Sequence, residues 1–223
     1  MIFMKKTILI ALLVALFLSV ANAQTAPAFW NDIVAFKKLD SVQTPPAHPI
    51  LLIGSSSFTK WTDVNEYFPG YPIINRGFGA STLLDQIRYA YDIILPYQPK
   101  QVLIYCGEND LAYSDLVTAQ DILNRFKTLF AIIRLNLPET VINYVAIKPS
   151  PRRINVRQKV IESNKEIKLF LKKQRNASYI DVYSPMLDAN GKTRPELFLS
   201  DSLHMQPEGY ALWKQIILPY LVR

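Results

Sequence analysis

The sequence predicts an α/β fold in which helices cover a sheet of parallel strands. Short apolar runs alternate with longer segments of helical periodicity, and that alternation is the sequence sign of this architecture. A turn or loop and then a helical pattern follow each run. We therefore expect a three-layer α/β/α domain with five parallel strands. The predicted strands are residues 50–53, 72–75, 101–105, 141–147 and 179–182.

The N-terminus predicts export. Lys5 and Lys6 precede an apolar run at residues 8–20, which closes with A-N-A at residues 21–23. That order is typical of a secretory signal peptide with its cleavage site. The run is shorter than the roughly 20 residues that a membrane-spanning helix needs. We expect residues 1–23 to be removed, and residues 24–223 to form a single domain in the periplasm or outside the cell.

Helical patterns account for the segments around the strands. An amphipathic segment at residues 29–42 precedes the first strand, and a proline-rich connector at residues 43–49 joins the two. Two further segments carry apolar residues three or four positions apart, and each is expected to pack an apolar stripe on the sheet. The first stripe is Leu84, Ile87, Tyr91 and Ile94, and the second is Ile122, Phe126, Leu129 and Ile133.

Two helix starts have their own signals. Thr118 with Asp121 resembles a capping box, in which each side chain bonds to the other residue's backbone N–H. Pro207 stands where the first residue of a last helix would be, ahead of apolar residues at positions 210, 213, 216 and 217.

Composition excludes several classes of function. The formal charge of +7 is mild, and Lys165 and Lys168 with their neighbours have the spacing of a solvated helix face. The sequence contains no nucleic-acid-binding motif. A single cysteine cannot form an internal disulfide, and Cys106 lies in an apolar run, so we interpret it as a small core residue.

The residues that follow the strands are the candidates for chemistry, because function in an open parallel sheet collects at the carboxyl ends of its strands. Residues 54–57, 76–81 and 107–110 occupy such places. Ser56 lies in a tight strand-to-helix turn opened by Gly54, which exposes the side chain and directs helix-start N–H groups at a developing negative charge.

A serine nucleophile needs a base and a group that stabilises the oxyanion. The chain has two histidines, and His48 precedes the first strand, at the wrong end of the sheet. His204 is therefore the candidate base. Asp201, three residues earlier, can be presented by the same short loop before the last helix.

Four blocks in order resemble the SGNH (GDSL-like) hydrolase family. They are L-I-G-S-S-S at residues 52–57, N-R-G-F-G-A-S at 75–81, G-E-N-D at 107–110 and D-S-L-H at 201–204. Together they span nearly all of the chain after the signal peptide. The resemblance implies the flavodoxin-like SGNH hydrolase fold and a serine esterase that needs neither a metal nor an organic cofactor.

The resemblance also implies the role of each residue. Ser56 is the nucleophile, His204 accepts its proton and later protonates the leaving alcohol, and Asp201 fixes the histidine tautomer. The oxyanion hole combines the N–H of Ser56, the N–H of Ala80 and the side-chain amide of Asn109.

Two positions depart from the family pattern. Ser55 stands before the nucleophile where the family name has aspartate, so the choice among three neighbouring serines depends on the alignment. Ala80 stands where glycine is common, and it can serve as a donor if its dihedral angles are ordinary. Gly79 is the alternative donor.

Other conspicuous residues keep two interpretations. Glu108 contacts a substrate hydroxyl or points to solvent, and Trp61 lines an acyl pocket or belongs to the core. Arg152 and Arg153 follow the fourth strand, where they bind an anionic substrate group or are simply solvated.

The function keeps alternatives as well. The family includes acetyl esterases that act on carbohydrate, lysophospholipases and thioesterases, and the missing lid insertion favours short acyl groups. The expected partner is a small-molecule or carbohydrate ester, with neither nucleic acid nor stable membrane insertion. A non-catalytic exported binding domain of the same fold is the second class of function. Nucleotide binding is disfavoured because G-F-G at residues 77–79 lacks the full glycine fingerprint.

Overall fold

A five-stranded sheet runs through the computed structural model, which describes residues 26–223. Every neighbouring pair of strands is parallel, and the order across the sheet is β2-β1-β3-β4-β5. The chain moves outward from β1 to β2 and then returns to the other side of β1, so the strand order reverses there. The strands are β1 Ile50–Gly54, β2 Ile73–Gly77, β3 Gln101–Tyr105, β4 Val141–Val145 and β5 Ala177–Ile180.

Nine α-helices and several short 3-10 turns connect the strands within the described residues. The helices are α1 Trp30–Val42, α2 Ser56–Thr59, α3 Val64–Tyr67, α4 Leu83–Arg88, α5 Ala90–Ile93, α6 Glu108–Tyr113, α7 Ala119–Asn136, α8 Arg157–Leu171 and α9 Pro207–Ile217. The five strands belong to one compact unit, Asn31–Arg223. Among the described residues before this unit, the N–H of Trp30 donates to the carbonyl of Pro27 at 3.0 Å.

The sheet is buried on both faces, because alternate residues of each strand meet helices on opposite sides. On one face Leu52 and Tyr105 join a core cluster with Phe58 and Trp213. On the other, the ring of Tyr144 packs against that of Phe126 at 4.8 Å between centroids. These contacts confirm the predicted three-layer, flavodoxin-like fold class.

Helix α7 follows the prediction closely. The four residues of its predicted stripe are fully buried, and Thr118 and Asp121 form the predicted capping box. The amphipathic segment before the first strand forms α1, and Pro207 is the first residue of α9.

The stripe predicted for the segment after the second strand is confirmed at Ile94, which is fully buried, but it is wrong at Leu84 and Tyr91. Leu84 is 51% exposed and Tyr91 is 64% exposed, whereas Leu83 is fully buried. The buried Asp110 carboxylate accepts the N–H of Leu83 at 3.0 Å, which fixes the helix start and turns Leu83 inward. The segment then breaks at Tyr89 into the short helices α4 and α5, so one continuous helical period does not apply.

Two predicted strand ends are also displaced. Beyond Val145, the Asn164 side chain bonds to both the N–H and the carbonyl of Ile147, each at 2.9 Å, in place of a strand neighbour. Beyond Ile180, the carboxylate of Asp181 accepts the N–H of Tyr183 at 3.1 Å and turns the chain out of the sheet. β4 and β5 therefore end two residues before their predicted limits.

The predicted signal peptide, residues 1–23, lies outside the described residues. Within residues 26–223, no helix combines the length and the apolar character needed to cross a bilayer.

Candidate active site

The turn after β1 places the first candidate residue. Gly54 has a φ of +133°, and a Cβ atom there would lie 1.9 Å from the carbonyl oxygen of Tyr105. Only glycine fits such a close approach in this backbone region. The N–H of Ser55 then donates to the same Tyr105 carbonyl at 3.0 Å, and α2 begins at Ser56.

Burial separates the three neighbouring serines. Ser55 is 2% exposed and Ser57 is fully buried, while Ser56 is partly exposed at the start of α2. The Tyr210 hydroxyl of α9 donates to the Ser57 carbonyl at 2.9 Å, and this bond ties α2 to α9. Ser56 is therefore the one serine of the three whose hydroxyl faces outward.

The structure brings the predicted base and acid to Ser56. The Nε2 atom of His204 lies 3.1 Å from the Oγ atom of Ser56, and its Nδ1 atom lies 2.6 Å from Oδ2 of Asp201. The other carboxylate oxygen of Asp201 accepts the N–H groups of Leu203 and His204, each at 2.9 Å. One short loop therefore fixes both side chains.

The charges of this loop set the histidine tautomer. Partial burial raises the pKa of Asp201, but the hydrogen bonds from His204 and Leu203 outweigh it and hold that pKa well below its usual range. An ionised carboxylate can only accept, so Nδ1 of His204 carries the proton. Nε2 is then free to accept the hydroxyl proton of Ser56.

Asn109 follows β3, and its side-chain amide contacts the loop after β2. Its side chain is 7% exposed, and the Nδ2 group donates one hydrogen to the carbonyl of Ser81 at 3.0 Å. The second amide hydrogen stays available for an oxyanion. Within residues 26–223, the N–H groups of Ser56 and Ala80 also have no acceptor. These three groups remain the predicted donors for an oxyanion at Ser56.

Ala80 does not meet the condition set from the sequence. Its φ is +64°, in the left-handed region that L-residues avoid, so its dihedral angles are not ordinary. Gly79, the alternative donor, has no positive φ and has open space around its missing side chain. The Tyr113 hydroxyl donates to the carbonyl of Ala80 at 3.2 Å and helps to hold the peptide.

Hydrogen bonds from β2 and from the loop after it hold the turn that carries Ser56. Asn75 donates from its amide to the carbonyl of Phe58 at 2.7 Å, just after Ser56. Gly77 allows α2 to approach closely, because a Cβ atom there would lie 2.9 Å from the Phe58 Cβ atom. The Ser81 hydroxyl bonds to the carbonyls of Phe78, at 2.8 Å, and Gly54, at 3.2 Å.

The interpretation in which Glu108 points to solvent is wrong. Glu108 is 4% exposed and forms a buried ion pair with Lys148, whose Nζ atom lies 2.7 Å from Oε2. The hydroxyls of Tyr105, at 2.7 Å, and Ser150 also donate to this carboxylate. Burial alone raises the pKa of Glu108, but the charge of Lys148 and these hydrogen bonds lower it below the ordinary value.

The remaining conspicuous residues lie either in the core or outside the contacts of Ser56. Trp61 is fully buried in the core cluster, and Cys106 is a buried core residue, as expected. His48 lies before β1 and contacts the carbonyl of Gln98, away from Ser56.

The N–H of Arg152 donates to the Ser202 carbonyl at 2.9 Å, which ties the segment after β4 to the loop that carries Asp201 and His204. Arg153 lies in the same segment, and its partly buried side chain has no ion pair within residues 26–223.

Comparison with known protein families gives a match that contains the candidate site residues. A family model described as "GDSL-like Lipase/Acylhydrolase family" matches residues 53–212. That range covers more than half of the chain and contains Ser56, Asn109, Asp201 and His204. No curated protein shows significant sequence similarity to the chain.

Several solved structures share the fold. A Streptococcus pneumonia protein named after platelet activating factor has a TM-score of 0.76 at 18% identity, over 93% of this chain and 99% of that one. A GDSL-like lipase from Bacteroides thetaiotaomicron has a TM-score of 0.73 at 18% identity, over 84% and 96% of the two chains. An acetyl xylan esterase from Geobacillus stearothermophilus has a TM-score of 0.61 at 14% identity, over 79% and 97%. At these identities the likeness concerns the fold alone.

Proposed function

Because the chain belongs to the GDSL-like lipase/acylhydrolase family, we propose that it is an exported serine esterase that hydrolyses carboxylic esters through an acyl-enzyme. The observation that carries this proposal is the contact of His204 Nε2 with Ser56 Oγ at 3.1 Å, with Asp201 at 2.6 Å from the other ring nitrogen. These are the distances that a base and its orienting acid need.

The proposed reaction has two halves. Ser56 Oγ attacks the ester carbonyl while His204 Nε2 takes the hydroxyl proton, and the carbonyl oxygen becomes an oxyanion. The N–H groups of Ser56 and Ala80 and the Asn109 amide stabilise that charge. The intermediate collapses, the alcohol leaves with the proton from His204, and the acyl group stays on Ser56. Water then attacks the acyl-enzyme in the same way and releases the acid. Serine, histidine and aspartate suffice, so the proposal includes no metal or organic cofactor.

We propose that short acyl groups, acetyl above all, are the preferred substrates. Five surface cavities of residues 26–223 are each lined by residues other than Ser56, Asn109 and His204, which is compatible with an open, shallow site at Ser56. A shallow site cannot bury a long acyl chain, which would gain about 0.8 kcal/mol for each CH₂ group removed from water. The acetyl xylan esterase among the structural neighbours is compatible with acetylated carbohydrate as the substrate class.

A panel of esters tests the proposal. The purified protein is assayed on p-nitrophenyl acetate, butyrate and octanoate, on acetylated oligosaccharides and on a lysophospholipid, with Ser56→Ala as the matched control. We expect the acetyl esters to give the highest kcat/KM and Ser56→Ala to be inactive. Rates that climb steadily to octanoate would reject the short-acyl preference. Lack of hydrolysis of every ester would reject the esterase and favour the non-catalytic binding domain.

Export is tested separately. We propose that cleavage follows Ala23, so that the mature chain begins at Gln24. Mass spectrometry of the protein from the native host should find that N-terminus in the soluble periplasmic or extracellular fraction. An intact Met1 N-terminus in the membrane fraction would contradict the proposal.

A further inference from the structure

An open groove of about 480 Å³ lies along the edge of the sheet, between α8 and the segment that follows β5. We call it the α8 groove. Its members include three basic residues, two tyrosines and the apolar side chains of Ile161 and Leu187. The basic residues are Arg157, Lys165 and Lys168, and the tyrosines are Tyr179 and Tyr183.

The basic side chains of the α8 groove keep their charges available. None of the three forms an ion pair with a carboxylate of residues 26–223. Tyrosines hold two of them instead, since the Nζ atom of Lys168 lies 5.5 Å from the ring centroid of Tyr179, and Nε of Arg157 donates to the Tyr183 hydroxyl at 3.1 Å. The positive charges are thus positioned but not neutralised.

The single acid of the α8 groove does not change this balance. Asp181 accepts the N–H groups of Tyr183 and Ser184, each at 3.1 Å, and the Ser184 hydroxyl at 2.8 Å. Its oxygens are used to turn the chain out of β5, and neither pairs with a cation of the groove. The groove is therefore a concave surface with an excess of positive charge.

One end of the α8 groove lies at the edge of the sheet where the strands end and where Ser56 follows β1. Arg157 begins α8 directly after the segment whose Arg152 N–H donates to the Ser202 carbonyl. From Arg157 to Lys168 the helix rises over about three turns, roughly 16 Å. A ligand that contacts all three cations must therefore be extended and carry several negative charges.

We propose that the α8 groove binds an extended acidic polysaccharide, a chain of uronic acid residues, and presents its ester groups to Ser56. This inference rests on the proposed esterase function and names its substrate class. The cations match the sugar carboxylates, and Ile161 and Leu187 offer apolar surface to the C–H faces of the sugar rings.

Two other polyanions fit the α8 groove less well. Single-stranded nucleic acid needs open aromatic faces on which bases stack. The ring of Tyr179 already packs against the ring of Tyr144, at 6.4 Å between centroids, and against the ammonium of Lys168 at 5.5 Å, so a stacked base would compete with these contacts. A flat anionic bilayer cannot enter a concave groove.

The test measures binding of the intact protein to unesterified polygalacturonate, with neutral xylan for comparison. The groove variant Lys165→Ala/Lys168→Ala is compared with Lys38→Ala/Lys127→Ala, which removes two exposed lysines outside the groove. We expect the native protein to bind polygalacturonate at low salt and to release it as salt rises, because exposed charges are screened. The groove variant should bind roughly tenfold more weakly, and the control variant should bind like the native protein.

Equal weakening in the two double variants would overturn the proposal, as would tighter binding to oligonucleotides or phosphatidylserine vesicles than to polygalacturonate. A second assay separates this proposal from the esterase. The groove variant should hydrolyse p-nitrophenyl acetate at the native rate but show a raised KM, with kcat unchanged, on acetylated polygalacturonate. An unchanged KM on that polymer would contradict the groove proposal alone, whereas failure of the native protein to hydrolyse p-nitrophenyl acetate would contradict the esterase.

Discussion

Lys148 and Glu108 form an ion pair at 2.7 Å in which both side chains are nearly fully buried, one at the end of β4 and the other at the end of β3. A buried pair contributes little to stability compared with a well-packed apolar pair, but the loss of one partner is costly. Glu108 directly precedes Asn109, so the pair also anchors the start of α6 beside the proposed oxyanion hole.

Glu108→Gln should destabilise the protein by roughly 3–5 kcal/mol at pH 7, because Lys148 would be left buried without its carboxylate partner and must either keep an unpaired charge or lose its proton. The folded-state pKa of Glu108 is lowered, so its contribution is complete above the unfolded pKa of about 4.3 and is lost as pH falls through the folded value. The difference between variant and native protein should therefore shrink in acid. Urea unfolding at several pH values measures it, with the exposed Glu66→Gln as control. A Glu108→Gln protein as stable as the native one at pH 7 would contradict this account.

Gly54→Ala should prevent folding or cost more than about 3 kcal/mol. The added methyl group would lie 1.9 Å from the Tyr105 carbonyl oxygen, and the φ of +133° is strained for alanine. Gly79→Ala is the matched control, because nothing lies within 4 Å of its new Cβ atom. Thermal unfolding of the two variants measures the contrast. Similar melting temperatures would show that the turn is not as tight as the structure has it.

Ala80→Gly should leave stability unchanged or raise it by up to about 1.6 kcal/mol. Glycine relieves the left-handed strain of roughly 1–2 kcal/mol, against about 0.4–1 kcal/mol for its greater freedom in the unfolded chain. Activity should persist because the proposed donor is a backbone N–H. Ala131 is exposed and lies in the middle of α7, so Ala131→Gly should instead lower the free energy of unfolding by about 1 kcal/mol. If both variants lose the same stability, Ala80 carries no strain.

Asn109→Ala should lower kcat by roughly a hundredfold to a thousandfold, the usual loss for one oxyanion donor, with little change in KM. Its amide also bonds to the carbonyl of Ser81 at 3.0 Å, so a thermal unfolding measurement must show that the fold is kept. A rise in KM at constant kcat would mean that Asn109 contacts the substrate in the ground state and has no role as an oxyanion donor.

The features that the sequence predicted are those set by local chemistry. The apolar strand runs, the Thr118 capping box and the Pro207 helix start follow from periodicity and capping alone. Ser56 was found because function collects where parallel strands end, whereas His204 followed from the exclusion of His48 and Asp201 from its place in the same loop. The resemblance to the four family blocks then joined the three residues.

The features that it missed depend on tertiary contacts. Asp110 accepts the Leu83 N–H and turns the predicted apolar stripe, and the left-handed conformation of Ala80 has no signal in the neighbouring sequence. Periodicity does not give the order of the strands in the sheet. With that order known, Lys148 could have been predicted as the partner of Glu108, because the two residues follow neighbouring strands and an unpaired buried charge would be costly.

The central claim, that Ser56 is the nucleophile, is tested most directly by labelling with a fluorophosphonate and locating the adduct by peptide mass spectrometry. Labelling should need His204 and the ionised Asp201, so His204→Ala and Asp201→Asn should react far more slowly while remaining folded. Ser55→Ala and Ser57→Ala, which remove the two buried hydroxyls, are the neighbouring controls and should label normally. The account predicts a single adduct on Ser56 and none in Ser56→Ala. An adduct on Ser55 or Ser57, or labelling that persists in a folded Ser56→Ala protein, would contradict it.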